Sequence, residues 1–206
     1  MKHSLLIAIF GATTLFVSCS KKDVQDLNSP AALIAKSNTM VIPQLIRGSY
    51  PTDSFAFALV AKGYKKFKVG LAEMVYPYWK DVGISTSTKL FDKNNQPVGI
   101  MNSELTWIYA PNNNFNNASQ MVGLTDAIMP APTGFNDLAW IRFSKQPAAE
   151  EEEDPKSPFI AVTHVQRVLT SGGVQYALPT PQANNVDNID SVAFTAVYRF
   201  FVKKSS

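Results

Sequence analysis

Cysteine is almost absent from this chain: Cys19 is the single one among 206 residues. An internal disulfide is therefore impossible, and zinc sites built from several cysteine thiolates are excluded. Stability has to come from a hydrophobic core, and a chain of this length is able to bury one as a single domain.

Histidine is nearly as scarce, because the chain holds only His3 and His164. Clustered histidine ligands for zinc or haem cannot be assembled, and a Ser-His-Asp triad would have to use His164 as its base. The flanking sequence predicts a strand around His164, which favours a structural role. Nucleophile-elbow, phosphate-loop and dinucleotide motifs are also missing. The sequence therefore predicts no cofactor and no metal site.

Charge is low and nearly balanced: 17% of the residues are charged and the formal net charge is +3. This balance gives no reason to expect a nucleic-acid partner. Residues 150–154, EEEED, form the densest acidic run. They lack the alternating spacing and the glycine of a calcium loop, so we expect a solvated loop there.

The N-terminal residues have the pattern of a secretory signal. Lys2 precedes an apolar run over residues 5–17, which is shorter than the roughly 17–25 residues that cross a bilayer. The run ends in Phe16-Val17-Ser18-Cys19, which resembles the lipobox of bacterial lipoproteins, with Phe16 where that family usually has leucine. A plain secretory signal with an incidental cysteine is the alternative.

The lipobox resemblance implies an organisation and a location for the whole chain. Residues 1–18 are then a signal peptide, and residues 19–29, which are polar, a tether that begins at lipidated Cys19. Residues 30–206 are left as a single domain, which its own sequence pattern predicts to be β-rich. The implied partner is the membrane, reached through the lipid anchor. Ser20, rather than aspartate, follows the cysteine. By resemblance to Gram-negative lipoproteins, this favours the outer membrane of the cell envelope.

Alternation of apolar and polar residues indicates a mainly-β, antiparallel domain. The last segment is the clearest, with Val192, Phe194, Ala196, Tyr198, Phe200 and Val202 on one face. Residues 90–100, LFDKNNQPVGI, indicate a hairpin and resemble hairpins of immunoglobulin-like modules. We predict an antiparallel β-sandwich, immunoglobulin-like or similar, with a barrel as the alternative closure.

Three local predictions accompany this fold. Ser29-Pro30 begins a short N-terminal helix, because serine suits the N-cap and proline the first turn. Residues 40–46 around Pro43 are expected to be extended. Residues 62–64, Lys-Gly-Tyr, are expected to turn the chain between two strands.

Aromatic residues supply the candidate binding site. Tyr76, Tyr78 and Trp79 surround Pro77, and Trp107 lies in a later strand. Exposed rings of this kind stack on sugar faces or anchor partner proteins. The alternative is that Tyr76 and Tyr78 face the core together.

The sequence thus favours a non-catalytic binding or assembly role at the cell envelope, with a protein partner or a glycan as ligand. A surface carbohydrate-binding lipoprotein that uses exposed Trp and Tyr is the alternative. A small glycoside-acting enzyme is a weaker one, since it would need two of Glu73, Asp81 and Glu104 to meet in a cleft.

Overall fold

The computed structural model describes residues 27–48, 53–73, 75–85, 88–147 and 156–204. The predicted signal peptide, Cys19, most of the tether and the acidic run at 150–154 lie outside these ranges. In the part of the chain that is described, no helix has the length and apolar character needed to cross a membrane.

Two helices precede the strands. Helix α1 spans Pro30–Thr39, and the hydroxyl of Ser29 accepts a hydrogen bond from the Ala32 amide at 3.3 Å. The predicted N-terminal helix and its cap are confirmed. Helix α2 spans Gln44–Arg47, so the expectation of extended chain throughout residues 40–46 is wrong. Pro43 lies at the N-cap of this short helix, a place where its missing N–H costs nothing.

The rest of the described chain is dominated by strands. These are β1 (Asp53–Ala72), β2 (Tyr76–Ile84), β3 (Thr88–Phe91), β4 (Pro97–Ser103), β5 (Thr106–Tyr109), β6 (Ser119–Met129), β7 (Trp140–Lys145), β8 (Val162–Gly172) and β9 (Ile189–Lys203). Short 3-10 turns occupy Pro111–Asn113, Phe115–Asn117, Gln175–Ala177 and Ala183–Asn185. The predicted mainly-β, antiparallel fold is confirmed.

The strands form one antiparallel sheet that closes on itself. The strand order is β2-β1-β3-β4-β5-β6-β7-β8-β9, and β1 also pairs with β9. The pairing runs from Asp53 opposite Lys203 to Lys68 opposite Ile189. The other edge of β1 pairs with β3 at Val60–Lys62 and with β2 beyond Lys65. Beyond the closed ring, therefore, β2, the end of β1 and the start of β9 form a three-stranded extension.

The long first strand runs straight through the position where a turn was expected. Gly63 lies inside β1 beside β3, and a Cβ atom there would overlap the Thr88 side chain. The turn prediction at residues 62–64 is therefore wrong. Glycine stands at this position because two strands approach closely, which is its other common use in sheets.

The main core fills the interior of the closed sheet. Trp107 of β5 meets Tyr198 of β9 edge-on, with 5.5 Å between ring centroids, although these strands are not neighbours. Opposite walls thus pack face to face, as the two sheets of a sandwich do. The predicted alternation of the last strand is borne out by buried Phe194, Ala196, Tyr198 and Phe200.

A second apolar cluster lies outside the sheet under the helices. Ile46 of α2 is fully buried there with Val60, Trp140, Val168 and Val197. The helices cover only part of the outer face of β1. Further along the same face, Tyr64 is 52% exposed.

Candidate functional site

The three-stranded extension carries three of the four predicted binding residues, on two different faces. In the register of β1 with β2, Trp79 lies opposite Val69, and Tyr78 lies opposite Gly70. Because neighbouring residues of a strand point to opposite faces, Trp79 faces one way while Tyr76 and Tyr78 face the other. The predicted aromatic cluster is therefore divided between two surfaces.

A recess of about 310 Å³ opens on the Trp79 face. The indole of Trp79 lies in its wall, and Nε1 donates a hydrogen bond to the Pro179 carbonyl at 2.9 Å. This bond joins β2 to a loop 100 positions later in the chain. It favours one orientation of the ring. Polar and apolar groups share the lining, which comprises Val69, Trp79, Pro179, Thr180, Pro181, Asn185, Asn188, Ile189 and Asp190.

Backbone hydrogen bonds hold the far wall of this recess against β1. The Val69 amide donates to the Asn188 carbonyl, and the Asp187 amide donates to the Val69 carbonyl, each at 3.0 Å. The Asn188 amide in turn donates to the Asn185 carbonyl at 3.0 Å. The exposed residues Asn185 and Asn188 are thereby placed beside Trp79, although the loop itself has little regular structure.

These loop residues were not identified from the sequence. The stretch NNVDNID at 184–190 is dense in asparagine and aspartate, which sequence reasoning treats as turn formers. The density of amides and carboxylates next to a strand is the one feature of the sequence that indicates a binding loop here. The loop lies beside Trp79 because β9 pairs with β1, and this long-range pairing is not visible in the local sequence.

The opposite face of the extension holds the two tyrosines. Tyr76 is 65% exposed and Tyr78 is 44% exposed, so the alternative that both face the core is wrong. The phenol end of the Tyr78 ring lies over Gly70, where a Cβ atom would come within 3.1 Å of it. Glycine at this cross-strand position gives the ring room to lie on the sheet.

Trp107 is far from either surface. Its side chain is fully buried in the interior, edge-on to Phe143 at 5.3 Å between ring centroids. The prediction that Trp107 contacts a ligand at the surface is therefore wrong, because this residue is part of the core. Its indole nitrogen is buried without a hydrogen-bond partner.

Two of the three candidate acids meet at one end of the sheet. Asp81 and Glu104 contact the same ammonium, Lys65 Nζ, at 2.7 and 2.6 Å. Arg167 approaches the second oxygen of Glu104 at 3.4 Å and donates through Nε to the Ala139 carbonyl at 3.0 Å. Both Glu104 oxygens thus face cationic donors. This arrangement differs from a glycosidase pair, in which one carboxyl carries a proton for the leaving group.

The only histidine in the described ranges pairs with an acid. His164 Nδ1 lies 3.0 Å from Asp53 Oδ2, its ring stacks on Phe201, and its side chain is nearly inaccessible. Burial lowers the pKa of the imidazole, although the hydrogen bond to Asp53 acts in the opposite direction. The pair links the first residue of β1 to β8, which is consistent with the structural role expected for His164.

Metal-binding side chains are not grouped in the part of the chain that the structure covers: no three of His, Cys, Asp and Glu come together there. The acids at 150–154 and Cys19 fall outside that part, so the expectations for them stay predictions.

A larger and more apolar groove lies between β1 and the β3–β4 hairpin. Its volume is about 460 Å³, and its lining comprises Ile34, Asn38, Phe55, Ala56, Phe57, Ala58, Leu59, Asp92, Lys93, Val98, Tyr109 and Pro158. The Asp92 carboxylate is engaged with its own turn, accepting from the Asn94 and Gln96 amides. The groove offers apolar contact more than polar recognition.

Comparison with known proteins gives no relative for this chain. No protein-family model, no curated protein and no solved structure matches it.

Proposed function

We propose that this chain is a lipid-anchored bacterial cell-envelope protein with a non-catalytic role, and that it binds carbohydrate in the Trp79 recess. The observation that carries the proposal is the indole of Trp79, held by the Pro179 carbonyl in a recess lined by Asn185, Asn188 and Asp190.

The chemistry of the recess matches that of a sugar. A pyranose presents an apolar C–H face, which stacks on an indole, and a rim of hydroxyls, which needs donors and acceptors. Side-chain amides supply both, and a carboxylate accepts two hydroxyl protons. The recess volume lies at the lower end of the range for small-ligand sites, roughly 300–1,000 Å³, which suits one or two sugar rings.

The fixed orientation of Trp79 reduces the cost of binding. A free side chain loses rotamer entropy of about 0.5–1.5 kcal/mol when a ligand immobilises it. The bond to the Pro179 carbonyl has already restricted the indole, so sugar binding loses less of this entropy. Preorganisation of this kind supports a binding function.

The anchor supports a role at the envelope surface. Cys19 would carry the acyl chains, Ser20 after it favours the outer membrane, and residues 19–29 would be the tether. Replacement of Cys19 by serine should release the protein from membranes and abolish labelling with a palmitate analogue. Unchanged membrane retention without labelling would refute the anchor.

A glycan array followed by calorimetry tests the binding site. The chain should bind a subset of the arrayed glycans. Trp79→Ala should lower the affinity for the tightest-binding one at least about tenfold, which corresponds to 1.4 kcal/mol. Asn188→Ala should weaken it as well. Tyr76→Ala, on the opposite face, is the matched control and should bind normally. Failure to retain any glycan, or equal losses in Trp79→Ala and Tyr76→Ala, would refute the proposal.

An assembly role is the second candidate, and the apolar groove favours it. Within the described residues, β1 from Ser54 to Leu59 pairs with β9 on one edge and with no strand on the other. An extended segment of an envelope partner could pair with that strand edge beside apolar pockets. Cross-linking from Ala56 in intact membranes should then capture one defined protein, and its absence would remove this candidate.

A further inference from the structure

The outer face of the three-stranded extension has a composition of its own. Six side chains define it, and we call it the tyrosine–lysine face: Tyr64, Lys66, Lys68, Tyr76, Tyr78 and Lys80. The face is aromatic and basic, and it points away from the Trp79 recess.

We propose that the tyrosine–lysine face is a docking surface for an anionic lipid bilayer. The proposal does not require glycan binding, because it concerns the opposite side of the sheet. It gives the anchored domain one orientation, with this face on the headgroups and the Trp79 recess turned away from them.

Charge is the first argument. Lys68 and Lys80 lie directly opposite each other in the β1–β2 register, and like charges at such positions destabilise a sheet. Lys66 extends the same row. The paired positions of this face in β1, β2 and β9 carry no acidic residue within the described ranges. Asp187, in the loop beside the face, lies 2.8 Å from Lys68 and compensates one of the three lysines. An anionic surface would compensate the other two.

The aromatic residues are the second argument. A tyrosine ring is apolar in its body and polar at its tip, which suits the boundary between headgroups and acyl chains. Lysine stems likewise lie along apolar surface while the ammonium reaches the headgroups. Exposed tyrosines between lysines therefore fit a membrane interface better than they fit bulk water.

The position of the face is the third argument. It continues the outer side of β1 that α1 and α2 cover over Ala58 and Val60. Beyond Lys62 the helices end their cover, and the strand is left with tyrosine and lysine in place of alanine and valine. Because no helix of the described fold covers these residues, they are free to contact a flat external surface such as a bilayer.

Vesicle partitioning tests the proposal. The full-length chain carrying Cys19→Ser is mixed with two kinds of vesicle. One is made of phosphatidylcholine alone, and the other of phosphatidylcholine containing 30% phosphatidylglycerol. The apolar N-terminal run contributes to partitioning into both kinds of vesicle. The readout is therefore the partition coefficient for anionic vesicles divided by that for neutral vesicles. Each lysine near an anionic surface contributes about 1 kcal/mol, so Lys66→Ala with Lys80→Ala should lower the ratio roughly 30-fold. Added salt should lower it too.

A matched control removes the same charge elsewhere. Lys93→Ala with Lys203→Ala deletes two exposed lysines outside the face and should change the ratio less than about threefold. Tyr76→Ser with Tyr78→Ser should also lower partitioning. Trp79→Ala should not, which separates this proposal from glycan binding. Equal losses in the two double-lysine variants, or a wild-type ratio near one, would overturn the proposal. Circular dichroism verifies that each variant keeps its sheet.

Discussion

Replacement of Glu104 by glutamine should destabilise the protein more than replacement of Asp81 by asparagine at the same end of the sheet. Glu104 contacts Lys65 at 2.6 Å and Arg167 at 3.4 Å, and the Arg167 side chain is only 3% exposed. Without the carboxylate, Arg167 keeps its hydrogen bond to the Ala139 carbonyl, but its buried positive charge loses its counter-ion. Removing one partner of a buried ion pair costs about 3–5 kcal/mol.

Two features reduce that figure. The Glu104 side chain is itself 25% exposed, and Lys65 retains Asp81 at 2.7 Å. We therefore expect Glu104→Gln to lower the free energy of unfolding by about 2–3 kcal/mol. At this chain length the melting temperature should fall by roughly 4–12 °C.

Urea unfolding measures the effect, with the midpoint falling and the slope unchanged. Asp81→Asn is the matched control. Because the Asp81 side chain is 51% exposed, its pair with Lys65 should contribute no more than about 1 kcal/mol. Combining Glu104→Leu with Arg167→Met should recover part of the loss, since the buried Arg167 charge is removed together with its partner and Lys65 keeps Asp81. Equal effects of Glu104→Gln and Asp81→Asn would refute the reasoning.

Three further predictions concern packing and pH. Gly63→Ala should lower the free energy of unfolding by about 1–3 kcal/mol, because the added Cβ would overlap Thr88. Gly70→Ala should lower it less, because the Tyr78 ring is able to move away from the new Cβ. Equal effects of the two variants in thermal unfolding would contradict this. Trp107→Ala should cost about 3–5 kcal/mol in urea unfolding, and a near-neutral result would contradict its place in the core. Burial lowers the pKa of His164 in the folded state, so the unfolded chain binds the proton more readily. Stability should then fall as the pH drops below about 6.5, and His164→Asn should flatten that part of the profile; an unchanged slope would contradict it.

The features that sequence predicts well here are local ones. The alternation in β9 is visible because a residue every second position faces one interior. The β3–β4 hairpin is visible because Asp92 caps its own turn and Asn95 adopts a positive φ of 60°. The start of α1 is visible because Ser29 and Pro30 carry their cap chemistry within two residues.

The errors arise where one residue type serves two purposes. Glycine favours turns, but at Gly63 it accommodates a neighbouring strand, and only the β1–β3 pairing distinguishes the two uses. Tryptophan anchors ligands and also fills cores. Trp107 and Trp79 both lie in strands, and the closure of the sheet buries the former while the extension leaves the latter at a recess. Neither the closure nor the extension has a signature within a few residues.

The candidate site combines both kinds of information. Trp79 was identified from the aromatic run in β2, but its partners lie about 100 positions away, brought close by the pairing of β1 with β2 and β9. Alternation along β2 then separates Trp79 from Tyr78. It turns one predicted platform into two surfaces with different chemistry.

Tryptophan fluorescence during a glycan titration tests the central claim most directly. The chain has three tryptophans, and Trp107 and Trp140 are buried, so Trp79 is the one that a ligand in the recess would contact. With a glycan retained on the array, emission should change saturably, acrylamide quenching should decrease, and Trp79→Phe should abolish the signal. Binding by calorimetry with no change in Trp79 emission would place the ligand elsewhere and contradict the account.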